Sequence, residues 1–246
     1  METKQNQIPE NEEKLKEIPK WARKYAQNRT APVLIGLVIF SGLLAGIGIL
    51  THFGGKAYYA GNMVLFWICV FVSAIPIISL FFLSVPKWGG KFIERISQRL
   101  YAHEGAVSIP DSQAMKKKKW LCYSAGMVFV SCIIGSAILG QKGFFPIEYK
   151  QPISALYVVP FLVFLYLWQR PKFGPIVLLW PTLYTIHAVL IVFGAPILFT
   201  GDLSRWNMTL PLFGYGFLTH IIAHIYSRYA LKKLKNAAQL QEDTNE

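Results

Sequence analysis

Acidic side chains are scarce in this chain: 13 Asp and Glu stand against 25 Lys and Arg, and none of the 13 falls within the six longest apolar stretches. Those stretches are residues 32–51, 60–84, 120–140, 152–168, 174–199 and 208–227. A carrier built on a membrane carboxylate, an intramembrane aspartyl protease and a di-iron carboxylate site all need acids at depth, so their absence excludes these designs. Cysteine is also rare. Cys69, Cys122 and Cys132 all lie inside apolar stretches, where a thiol packs as a small apolar group, and no disulfide framework is expected. No GxSxG elbow and no phosphate-cradling Walker loop occurs, so an enzyme is not the expected reading. A short basic leader ahead of the first apolar run is missing too, so that run is expected to act as the insertion signal without cleavage.

Apolar length is what the chain has. Hydrophobic residues make up 53% of the 246, aromatic residues 15% and charged residues only 15%, against about a quarter charged in an ordinary soluble domain. About 20 apolar residues cross a hydrocarbon core roughly 30 Å thick, so the six stretches predict an all-α, polytopic integral membrane protein with a six-helix bundle. Residues 1–30 read as a polar cytoplasmic segment whose early part lacks a fixed fold, residues 31–230 as the membrane domain, and 231–246 as a polar cytoplasmic tail.

The net charge of +12 is a topology signal. Twenty-one of the 25 basic residues fall before the first span, between spans two and three, between four and five, or after the sixth; only Lys56, Lys142, Lys150 and Arg205 fall in the alternate loops. By the positive-inside rule both termini are cytoplasmic, in a multi-pass protein of the cell inner membrane, and nucleic-acid binding is an unnecessary hypothesis. Between spans two and three, Phe92, Ile93, Ile96 and Leu100 share a helical face among Lys91, Arg95 and Arg99, which predicts a short amphipathic helix on the cytoplasmic leaflet. Lys116 to Lys119 can attract anionic lipid, although a block of charge that merely fixes topology explains them as well.

Small residues mark expected helix contacts, Gly42 and Gly46 as a GxxxG in the first span and Gly135 and Gly140 in the third. Such contacts serve a compact bundle, a membrane protein partner or a homo-oligomer equally. Pro160, Pro181, Pro196 and Pro211 are expected kinks, since each removes a backbone donor within or near a span. Broken helices line binding sites in some transporters, but proline is also common in ordinary membrane helices.

With acids absent at depth, His187, His220 and His224 are the ionisable groups well inside the spans. If spans five and six form a hairpin turning near residue 203.5, residue numbers summing to 407 lie level, which pairs His187 with His220 and Pro196 with Pro211. His187 and His220 can then hold a cofactor such as a b-type haem, and His224, one turn along, can add a metal ligand. The HxxxH spacing of His220 and His224 lacks the zincin glutamate. Proton handling is a further use of imidazole, and the plain alternative is a hydrogen bond from each ring to a carbonyl or to Tyr184, Thr185, Tyr215, Thr219 or Tyr226. The cofactor is left open. The expected function is movement of a small solute or lipid, or service as a membrane subunit of a larger assembly, with a haem or metal redox protein as the alternative.

Overall fold

The computed structural model describes residues 7–84, 86–103, 119–170, 172–200 and 206–245. Among these the chain is all-helical: α1 (Gln7–Gln27), α2 (Ala31–Tyr59), α3 (Met63–Ser84), α4 (Pro86–Leu100), α5 (Lys119–Gln141), α6 (Lys150–Gln169), α7 (Leu179–Val192) and α8 (Thr209–Asn245), with 3-10 turns at Ile147–Tyr149 and Pro175–Leu178. Five segments are long and apolar enough to cross a membrane: Glu17–Tyr59, Met63–Leu83, Trp120–Gly140, Lys150–Gln169 and Pro175–Val192. Large apolar side chains project outward from them, Phe71 at 71% exposure and Met127 at 73%, so these helices fit a membrane protein. The sixth expected stretch, 208–227, lies within α8 but is not among the five segments, because His220, His224, two glycines and a proline dilute its apolar character.

The chain divides into two compact units, Thr30–Ala106 and the remainder. In the first, α2 and α3 form a hairpin. Its turn closes through Asn62 N–H to Ala57 O (2.9 Å), with Gly61 at φ 71°, and Asn62 Oδ1 accepts from Leu65 N–H at 3.1 Å to cap α3. The two helices approach closely at Gly54, where an added Cβ would lie 3.2 Å from Cys69 Cβ. At Gly42 and Gly46 an added Cβ meets no heavy atom within 4 Å. Thr51, Ser73 and Ser79 each donate to a carbonyl of their own helix, which satisfies these exposed hydroxyls without another partner. Pro76 lies in the interior of α3. The amphipathic α4 folds back on α2, with Ile93 Cδ1 3.1 Å from a Cβ built on Gly36.

In the second unit, α5, α6, α7 and α8 pack successively, and α1 lies against α8. Phe129 of α5 stacks on Phe161 of α6 at 4.0 Å, and Ser136 and Tyr157 share a hydrogen bond at 3.1 Å between the same helices. An added Cβ at Gly135 meets nothing within 4 Å, whereas one at Gly140 would lie 3.3 Å from the Phe145 ring in the following turn. Helix α7 stops at Val192 because Gly194 takes φ 79° while Gly194 N–H and Ala195 N–H return to Ile191 O and Leu190 O. The backbone at Phe199 is clamped by buried Asn207, which accepts from Phe199 N–H at 2.7 Å and donates to Phe199 O at 3.0 Å.

From Gln7 onward the N-terminal segment is helical, and α8 continues through the polar residues after 230 to Asn245. Both stretches are rich in Ala, Leu, Glu, Gln and Lys, strong helix formers that need little packing to hold the helix. Lys116, Lys117 and Lys118 lie outside the described residues, and Lys119 opens α5.

Candidate functional site

Helices α6, α7 and α8 enclose a polar seam inside apolar surroundings. At its base, Ser154 Oγ donates to Gln151 O at 2.7 Å. A hydroxyl has one proton, so the 2.6 Å contact to Tyr184 is the Tyr184 O–H donating to Ser154 Oγ. Gln151 Nε2 closes the ring by donating to Tyr184 O at 3.3 Å. Tyr184 and Gln151 are fully buried, and Gln151 Oε1 and Thr219 Oγ1 are buried with no hydrogen-bond partner among the described residues. Fixing the Tyr184 ring among Ala155, Val158 and Ala188 combines aromatic burial with a satisfied hydroxyl.

The histidines have separate partners. His187 Nδ1 shares a 2.8 Å hydrogen bond with Tyr215 OH. His220 Nδ1 donates to Gly216 O at 2.7 Å, one turn back along its own helix, and its ring meets Trp180 edge-on at 5.7 Å. Trp180 Nε1 in turn donates to Leu212 O at 2.9 Å. Thus His187 is level with Tyr215, while His220 is level with Trp180. Seven residues separate Trp180 from His187 and five separate Tyr215 from His220, an axial offset of roughly 7–10 Å at 1.5 Å per residue. Two imidazoles on one metal need their nitrogens within about 4 Å, two bonds of about 2.1 Å. In the structure the two rings hold different partners, His187 the Tyr215 hydroxyl and His220 the Gly216 carbonyl. The hairpin register slips from the expected sum of 407 because α7 ends at Val192 and α8 begins only at Thr209. His224 is half-buried one turn beyond His220, and no group of three or more His, Cys, Asp or Glu close enough to hold a metal occurs among the described residues.

The four prolines also separate. Pro160 is inside α6, Pro181 and Pro211 occupy the first turns of α7 and α8, where no helical donor is needed, and Pro196 lies past the end of α7, where there is no helix to kink. Pro160 therefore breaks the backbone ladder in mid-helix, and it does so at a cavity. A groove of about 420 Å³ opens between α6 and α7, lined by Pro152, Leu156, Pro160, Ala188, Val189 and Phe193 among others. Thr185 is its polar residue, and the Thr185 hydroxyl already donates to Pro181 O at 2.8 Å. Nothing in that lining addresses charge, so an occupant is held by shape and dispersion.

Comparison with protein-family models, curated proteins and solved structures finds no match. The seam and groove must be interpreted from their own geometry.

Gly216 is the tightest joint in the seam. A Cβ there would lie 2.9 Å from Trp180 Cζ2 and 3.1 Å from Cε2, against a ring pinned by its Nε1 bond. Gly216→Ala is expected to cost about 1–3 kcal/mol by overpacking, read as a lowered melting temperature in detergent. Adding Trp180→Leu to that variant should restore part of the loss, since the two changes share one contact.

Proposed function

We propose that this chain is a non-catalytic, multi-span membrane protein that binds and moves a lipid through the α6–α7 groove. The observation that carries the reading is the groove itself: open, apolar and built around an interior proline. Acid-free spans support a cargo that needs no coupling carboxylate. A six-span arrangement in the cell inner membrane with both termini cytoplasmic agrees with the distribution of Lys and Arg. Open faces at Gly42 and Gly46 support a second reading, a membrane subunit that receives a helix from another protein or a second copy.

The test is photolabelling of the full chain in vesicles with a phospholipid carrying a diazirine on one acyl chain. Label should concentrate in the peptides containing Leu156 and Val189 above the level at the exposed Phe71. Val189→Trp places an indole in the groove and should lower that labelling about tenfold, the loss of roughly two buried methylenes at about 0.8 kcal/mol each. Groove labelling no higher than at Phe71, or unchanged by Val189→Trp, would refute the lipid reading.

A further inference from the structure

Where α8 leaves its apolar half it meets α1, and the pair presents an organised surface of aromatic rings and cations. The Trp21 ring stands edge-on to Tyr229 at 5.9 Å. Lys24 Nζ lies 4.4 Å from the Trp21 ring centroid and Lys233 Nζ lies 5.8 Å from that of Tyr229. From Glu17 to Gln27 of α1 and from Thr209 to Gln239 of α8 there are seven Lys and Arg and a single carboxylate, Glu17; Glu10, Glu12 and Glu13 lie earlier in α1, and Glu242 and Asp243 later in α8. The Glu17 carboxylate is already engaged, accepting from Trp21 Nε1 at 3.0 Å and from Lys20 Nζ at 3.3 Å. Helix α8 carries small buried residues, Ala223, Ser227, Ala230 and Ala237, along the half of it that packs with α1.

Rings that are apolar on the face and polar at the tip belong at the headgroup level of a bilayer, and cations there attract acidic lipid. We infer that α1 and α8 together form a binding platform for anionic phospholipid headgroups, in which Lys24 and Lys233 bind the phosphate and Trp21 and Tyr229 hold the glycerol level. The platform rests on the reading of the chain as membrane-spanning and is independent of the groove. It differs from a diffuse basic segment because the cations are held against rings across two helices. Neutralising one of them therefore removes a positioned contact.

The test uses the full chain in nonionic detergent, with lipid adducts measured by native mass spectrometry. Phosphatidylglycerol should be retained over phosphatidylcholine. The triple variant Lys24→Gln, Lys232→Gln, Lys233→Gln should bind phosphatidylglycerol about a hundredfold more weakly, near fivefold per charge, with phosphatidylcholine binding unchanged. Lys233→Gln alone, on an exposed side chain held over Tyr229, should give about fivefold and serves if the triple variant does not fold. Equal retention of the two lipids by the native chain, a triple variant that binds like it, or displacement by inorganic phosphate as effective as by the lipid overturns the platform. A native chain that fails to float with pure phosphatidylcholine vesicles overturns the membrane reading and the platform with it.

Discussion

Gly89→Ala is expected to destabilise the α3–α4 corner severely, while Gly90→Ala, one residue on, is tolerated. A Cβ at Gly89 would overlap the Leu83 carbonyl, a backbone group with no rotamer to give, whereas one at Gly90 meets nothing within 4 Å. The first change should cost about 3 kcal/mol or more, at or above the upper end of overpacking. The second replaces glycine with the best helix former on an exposed face of α4 and should be neutral or stabilising by up to about 1 kcal/mol. Melting temperature in detergent, with protease accessibility at the corner, checks both. Equal behaviour of the neighbours would mean that the corner is not as tight as its backbone indicates.

Tyr184 should show the second large effect. It is fully buried between α6 and α8, and truncation to Ala removes an aromatic ring from a packed site, at about 3–5 kcal/mol. Tyr184→Phe removes only the hydroxyl that donates to Ser154, and Ser154 keeps its bond to Gln151 O, so about 1 kcal/mol is expected. The contrast between the two variants separates packing from hydrogen bonding. If Tyr184→Phe were as damaging as Tyr184→Ala, the polar ring would be the main support of the bundle, contrary to the geometry.

Much of this architecture was legible in the residues. Long apolar runs between charged or Gly/Pro-rich boundaries give helices 22–29 residues long where the span is uninterrupted, as in α2, α3 and α5. The amphipathic face of Phe92, Ile93, Ile96 and Leu100 similarly falls within α4. What the residues concealed was register. Depth in a helical hairpin depends on where each helix stops, and Gly194 ends α7 well before the apolar composition does. That one left-handed glycine moves His187 opposite Tyr215 in place of His220. Tyr184 was in view as a polar residue inside the fifth apolar stretch, but its ring with Gln151 and Ser154 depends on the pairing of α6 with α7, which no local spacing encodes. The small-residue signal was equally local. Gly36 and Gly54 are the glycines of α2 that meet neighbouring helices closely, and both lie outside the GxxxG.

Helix α8 has one further mechanical property. It runs 37 residues, about 55 Å, and its proline falls in the first turn, so its backbone ladder continues from the Trp180 contact to the α1 joint without a proline break. A helix of that kind has no hinge at which to absorb a push. Along α8 the basic residues near the α1 joint and the close contact of Gly216 with the Trp180 ring therefore belong to one helix with no proline between them, so a rigid-body tilt of either end moves the other.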